Sequence, residues 1–125
     1  MPKKIYFWSA FLWTAIVIVL SLVSFSNAPK VLSDLGSHDK LAHFVFYFVF
    51  VFLWGGFVFY DKKIQSRTLF LIFWIALVLG GIIEVCQELL TEKRTADIYD
   101  MFANFSGALA GIGALYLQQK NIKKL

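Results

Sequence analysis

The sequence contains four apolar segments, each close to the length that a helix needs to cross a membrane. They comprise residues 5–25, 41–60, 69–90 and 101–117. A helix rises about 1.5 Å per residue, so about 20 residues span the hydrocarbon core of a bilayer. Only 16% of the residues are charged and the mean hydropathy is +0.70, whereas about 25% of the residues in soluble domains are charged. The sequence therefore predicts an all-α fold, in which residues 1–125 form one domain: an integral membrane bundle of four transmembrane helices.

The second apolar segment has phenylalanine at every other position from Phe44 to Phe52, a spacing that resembles a strand. A transmembrane barrel strand alternates apolar with polar residues over about 10 positions. Here the intervening positions are apolar as well, being valine or tyrosine. The pattern therefore favours a transmembrane helix over a barrel strand.

The net charge of +4 comes from basic residues that flank the apolar segments in short clusters, so we interpret them as topology signals and predict no nucleic-acid partner. Eight of the lysine and arginine residues lie on one side of the predicted bundle and four on the other. The positive-inside rule then places both termini in the cytoplasm. The larger group comprises Lys3, Lys4, Lys62, Lys63, Arg67, Lys120, Lys123 and Lys124.

The polar residues best suited to chemistry lie at the ends of apolar segments, and in the predicted topology these ends all face outward. A charge within a lipid-facing sequence is costly, so its default interpretation is functional. These residues are Asp39, Lys40 and His43 around the start of the second segment, Glu84 and Gln87 near the end of the third, and Arg94, Asp97, Asp100 and Asn104 around the start of the fourth.

Helical phase predicts that these residues converge, because successive side chains are rotated by about 100°. Glu84 and Gln87 share one side of the third helix with Gly80 and Gly81. His43 and Tyr47 share one side of the second helix. The polar residues Asp97, Asp100 and Asn104 share a side of the fourth helix with the helix-packing candidates Gly107 and Gly111. Small residues allow a neighbouring helix to approach, so we expect all four glycines to mediate helix packing around one outward-facing polar pocket.

The residue types in this pocket suit proton transfer or the binding of a charged headgroup. An imidazole and carboxylates in a partly dry site are candidate acids and bases. We take His43, Glu84, Asp97 and Asp100 as the catalytic candidates. The substrate-binding candidates are Asp39, Lys40, Tyr47, Gln87, Arg94 and Asn104. Alternatively, the imidazole and carboxylates hold a divalent metal ion.

Arg94 has two interpretations that the sequence leaves open. Its guanidinium forms bidentate hydrogen bonds to carboxylates, which would make it the countercharge of Glu84 or Asp100. The same group also binds phosphate.

Several enzyme classes lack their sequence signatures in this chain. There is no HExxH string of a zincin metalloprotease and no Gly-x-Ser-x-Gly of a serine hydrolase. Cys86 is the only cysteine, which excludes an intrachain disulfide and a structural zinc site built from cysteines.

In their order and spacing the polar residues resemble the signature of the VanZ-like family. The resemblance covers residues 39–111, and its pattern is Asp39-Lys40-x-x-His43, Glu84-x-x-Gln87 and Arg94-x-x-Asp97-x-x-Asp100-x-x-x-Asn104-x-x-Gly107-x-x-x-Gly111.

Members of that family are small bacterial membrane proteins, and its name comes from a protein associated with resistance to the glycopeptide teicoplanin. The resemblance implies a multi-pass protein of the bacterial cytoplasmic (inner) membrane, a four-helix core and a connection to the cell envelope. It implies no particular reaction.

Three functions follow as hypotheses. The first is an enzyme that acts on a lipid or a lipid-linked cell-wall precursor in the outer leaflet. The second is a non-catalytic protein that binds an envelope lipid, a glycopeptide or a partner protein, and whose polar cluster specifies helix packing. The third, transport, ranks last, because the inner half of the predicted bundle offers little sign of a continuous polar pathway. Oligomeric state is left open.

Overall fold

The computed structural model describes residues 2–22, 40–90 and 98–123, and these form four helices. Helix α1 spans Lys3–Leu22, α2 spans Lys40–Val58, α3 spans Ser66–Leu90 and α4 spans Ile98–Lys123. The all-helical prediction is therefore confirmed.

Three of the described helices are long and apolar enough to cross a membrane: α1, α2 and the portion Ser66–Cys86 of α3. Their outward faces carry large exposed apolar side chains such as Trp8, Phe70 and Trp74. A water-soluble protein rarely exposes so much apolar surface. These helices therefore indicate a membrane protein.

Helix α4 differs most from its predicted range of 101–117. It begins at Ile98 and continues to Lys123, so it includes Asp100 in its first turn and Gln118, Gln119 and Lys120 near its end. The prediction followed hydropathy, whereas helix formation follows backbone propensity, and glutamine and lysine are good helix formers. The helix therefore extends past its apolar segment at both ends.

Helices α2 and α4 form the most extensive interface of the described chain, and they run in the same direction. A Cβ atom at Gly107 would overlap the backbone carbonyl of Phe44, and one at Gly111 would lie 2.8 Å from the carbonyl oxygen of Phe48. The two glycines thus allow direct backbone contact between the helices. This contact fixes how the first turns of α2 and α4 meet.

Helix α3 packs antiparallel to α2, to which residues 59–65 connect it, and it also contacts α1 and α4. Helix α1 is held against α2 by two indole hydrogen bonds. Trp13 Nε1 donates to the backbone oxygen of Phe46 at 2.9 Å, and Trp54 Nε1 donates to Oγ1 of Thr14 at 3.0 Å. The start of α2, the end of α3 and the start of α4 consequently lie at the same end of the bundle.

Candidate functional site

An ion pair joins the first residue of α2 to the first turn of α4. The Nζ atom of Lys40 lies 2.8 Å from Oδ1 of Asp100. The Asp100 side chain is only 2% exposed, whereas the Lys40 side chain is 47% exposed. A buried carboxylate requires compensation of its charge, and Lys40 supplies it from the edge of the bundle.

His43 lies one turn further along α2 and contacts two side chains of α4. Its Nδ1 atom is 3.1 Å from Oδ1 of Asn104, and its Nε2 atom is 3.6 Å from Oδ2 of Asp100. The first distance is that of a hydrogen bond and the second is too long for one. The His43 ring is buried, so Asn104 sets its orientation.

Glu84 brings a second carboxylate to this cluster from α3. It is buried, like His43 and Asp100, and one ligand atom from each of these three residues lies within 4.8 Å of the other two. One imidazole and two carboxylates therefore meet in a volume small enough to act on a single atom or ion.

The next layer into the bundle contains Tyr47, Asn104 and Gly80. A Cβ atom at Gly80 would lie 2.7 Å from Nδ2 of Asn104 and 3.4 Å from the hydroxyl oxygen of Tyr47. Both polar side chains are buried. Because Gly80 has no side chain, it leaves room for the side-chain amide of Asn104, whose oxygen contacts His43.

Gly81 differs from the other predicted packing glycines. Apart from its chain neighbours and the backbone of its own helix, no atom of the described residues lies within 4 Å of its Cβ position. On α3 adjacent residues are rotated by about 100°, so Gly80 faces α2 and α4 while Gly81 does not. The packing contact predicted for Gly81 is not seen in the part of the chain that the structure describes.

The structure thus brings together six of the predicted site residues: Lys40, His43, Tyr47, Glu84, Asp100 and Asn104. Asp39, Arg94 and Asp97 lie outside the described residues, as does the side chain of Gln87.

A cavity of about 480 Å³ lies at the opposite end of the bundle, away from this cluster. Tyr6, Gly56, Phe59, Leu115 and Gln118 are among the residues that line it. Gln118 Nε2 donates a hydrogen bond of 2.7 Å to the hydroxyl of Tyr6. The sequence analysis singled out none of these residues as a site, because they are distant from one another in sequence and share no motif.

A comparison with protein-family models places these observations in a family. The model described as VanZ/LLP1 matches residues 4–119. This range includes all of α2 and α3, all of α1 except Lys3, and α4 as far as Gln119. The chain belongs to the VanZ/LLP1 family. The resemblance noted in the sequence is therefore confirmed. Neither the curated proteins nor the solved structures gave a match.

Two features of this VanZ/LLP1-family protein were missed from sequence. The sequence analysis considered Arg94 as a countercharge of Asp100 and did not predict the ion pair of Lys40 with Asp100. Ser21, near the end of α1, is buried and was not singled out. Hydropathy gives no signal for either feature, because each depends on which helices are neighbours.

Proposed function

We propose that this VanZ/LLP1-family protein acts on the headgroup of a lipid or lipid-linked envelope substrate in the outer leaflet of the bacterial inner membrane. We also propose that this action links it to teicoplanin resistance. The supporting observation is the burial of His43, Glu84 and Asp100 together, where α2 and α3, which are apolar enough to cross a membrane, meet the first turn of α4. Such groups are expensive to keep inside a membrane protein, and they are concentrated at functional sites.

The proposed topology has four membrane spans with both termini in the cytoplasm. Helix α4 has 26 residues, which gives a length of about 39 Å, and it packs closely along α2. Eight of the twelve lysine and arginine residues flank the end of the bundle opposite the polar cluster. The positive-inside rule then supports an outward orientation for the cluster.

In this proposal the role of each residue depends on how deeply it is buried. Lys40 is half-exposed at the edge of the cluster, a position that suits the binding of a headgroup phosphate. Asp39, Gln87, Arg94 and Asp97 adjoin the same helix ends in sequence and are proposed to complete the outward-facing pocket. His43, Glu84 and Asp100, which are buried, then supply the chemistry.

A non-catalytic function is the second candidate, and a specific observation favours it. The polar side chains contact each other, as in the His43 and Asn104 pair, and Gly80 accommodates Asn104. Interhelical polar contacts of this kind stabilise membrane bundles. In that case the protein binds an envelope lipid, glycopeptide or partner without converting it.

The proposal is tested by incubating the purified protein in nanodiscs with an envelope lipid extract and following the lipids by mass spectrometry. Wild-type protein is expected to convert one lipid species into another. Glu84→Gln should lower the rate by at least about 100-fold, the usual contribution of a proton-transferring group. Glu88→Gln, whose side chain is exposed on the same helix, is the matched control and should retain the wild-type rate. A lipid profile that wild-type protein leaves unchanged would contradict the enzymatic proposal and favour the non-catalytic one.

A further inference from the structure

We infer that His43, Glu84 and Asp100 hold one divalent transition-metal ion. The catalytic role of this ion rests on the proposed function. The binding of the ion itself rests only on the geometry of the three side chains.

The contacts of Asn104 indicate which ring nitrogen of His43 donates a hydrogen bond. Asn104 presents its amide oxygen to Nδ1 at 3.1 Å, while its Nδ2 atom points towards the sulfur of Met101 at 3.8 Å. A carbonyl oxygen accepts hydrogen bonds, so Nδ1 of His43 is the donor. In a neutral imidazole only one ring nitrogen carries a proton, so Nε2 then presents a lone pair.

This lone pair faces the carboxylates. Nε2 of His43 has no hydrogen-bond partner among the described residues, and its side chain is only 2% exposed. Oδ2 of Asp100 lies 3.6 Å from it. Two electron-rich atoms buried side by side repel each other unless a positive charge lies between them.

The distances distinguish a metal ion from a second proton on the ring. An imidazolium donating to a carboxylate would lie about 2.7 to 2.9 Å from the oxygen, which is shorter than the observed 3.6 Å. Two ligands bound to one zinc ion at about 2.0 to 2.2 Å are themselves about 3.0 to 3.6 Å apart, depending on the angle at the metal. The separation of Nε2 and Oδ2 fits this range, and the ligand atom of Glu84 lies within the same 4.8 Å limit.

The donor set indicates the class of ion. One imidazole nitrogen and two carboxylate oxygens suit Zn²⁺ or Mn²⁺, and three protein ligands leave coordination positions open for water or a headgroup oxygen. The three ligand residues lie on three different helices, so the ion would also connect these helices.

The net charge of the cluster and the hydrogen-bond partner of His43 also favour a bound metal ion. Two carboxylates and the ammonium of Lys40 give the cluster a net charge of −1 when His43 is neutral, so a divalent cation is attracted. Metal-bound histidines usually donate their other ring N–H to an oxygen. Asn104 provides that oxygen to His43.

Metal content provides the first test. Protein purified in detergent, stripped with chelator and re-equilibrated with Zn²⁺ or Mn²⁺ should retain about one ion per chain after dialysis. Glu84→Gln and Asp100→Asn should each weaken binding by more than about tenfold, while Glu88→Gln binds as wild type does. Asn104→Leu should weaken binding by about 10- to 100-fold, the usual effect of losing such an outer contact. Asn104→Asp keeps an oxygen for Nδ1 and should restore it.

The second test leaves all three ligand residues unchanged, in case the ligand variants do not fold. In ¹⁵N-histidine-labelled protein, Zn²⁺ should shift the Nε2 signal of His43 while Nδ1 stays protonated, with His38→Gln used to assign the two histidines. An Nε2 atom that already carries a proton and does not respond to Zn²⁺ or Mn²⁺ would overturn the inference.

Lipid conversion separates this inference from the proposed function. Conversion that survives removal of all metal would overturn the catalytic role of the ion and leave the proposed function standing. Stoichiometric metal binding without any lipid conversion would contradict the enzymatic proposal and leave the metal site standing.

Discussion

The ammonium of Lys40 lies 2.8 Å from the carboxylate of Asp100, so that one ion pair joins the first turns of α2 and α4. The two residues are 60 positions apart in sequence. Lys40 is the more exposed partner and Asp100 is buried, so the pair connects the edge of the bundle to the polar cluster beneath it.

Removal of the Lys40 charge should destabilise the protein, because it leaves the buried Asp100 carboxylate without this ammonium. For Lys40→Met we expect a loss of about 1 to 3 kcal/mol, the usual cost of depriving a buried group of its partner. The loss should fall short of the 3–5 kcal/mol typical of fully buried pairs, roughly in proportion to the exposure of Lys40. Thermal unfolding in detergent measures it. Lys120→Met, at the other end of α4, is the control, and equal unfolding temperatures for the two variants would contradict this role of the ion pair.

Gly80 and Gly81 should respond differently to alanine, although they are neighbours on α3. Gly80→Ala places a methyl group 2.7 Å from Nδ2 of Asn104, and overpacking of this kind costs about 1 to 3 kcal/mol. Gly81→Ala meets no described atom within 4 Å and should stabilise the helix by up to about 1 kcal/mol. Thermal unfolding of the two variants tests this difference. A Gly80→Ala variant as stable as Gly81→Ala would contradict the close packing of Asn104 against Gly80.

Gly107 should be the least replaceable glycine of α4, because its neighbour is backbone and cannot change rotamer. A Cβ atom there overlaps the carbonyl of Phe44, whereas one at Gly113 meets no described atom within 4 Å. Gly107→Ala should therefore separate α2 from α4 and lower the yield of folded protein, while Gly113→Ala should not. Size-exclusion chromatography of the two purified variants gives the comparison. Indistinguishable elution profiles and yields would contradict the close contact of these helices.

The proposed orientation predicts which residues a membrane-impermeant thiol reagent reaches on intact cells. In a Cys86→Ser background, a cysteine at exposed Glu88 should react from outside, and one at exposed Asp61 should react only after lysis. The reverse pattern would place the polar cluster at the cytoplasmic face and exclude a substrate in the outer leaflet.

Much of the fold could be predicted from sequence because apolar length and helical phase are local properties. Four apolar segments predicted four helices, and phase placed Asp100, Asn104 and Gly107 on one side of the last helix. Helix ends were predicted less well, since α4 extends beyond its apolar segment to Lys123. Hydropathy measures preference for lipid, and it carries no information about where a helix stops in water.

The composition of the polar cluster could likewise be predicted, but its pairing could not. Arg94 was considered as the countercharge of Glu84 or Asp100, whereas the structure pairs Asp100 with Lys40. The sequence alone does not give the distance between α2 and α4. Helical phase also did not distinguish Gly80 from Gly81. Their side-chain directions differ by about 100°, and the sequence does not give the direction of the neighbouring helix more precisely than that. Both outcomes depend on tertiary packing.

Antibiotic susceptibility tests the claim that the buried cluster of His43, Glu84 and Asp100 acts on a substrate and does not only hold the helices together. A teicoplanin-susceptible bacterial host would express wild-type protein, Glu84→Gln or Glu88→Gln, and the amount of folded membrane protein would be measured in the same cells. We predict that wild type and Glu88→Gln raise the tolerated teicoplanin concentration, and that Glu84→Gln accumulates to the same level without doing so. A Glu84→Gln protein that protects the cells as wild type does, or whose loss of protection matches its loss of folded protein, would contradict the claim.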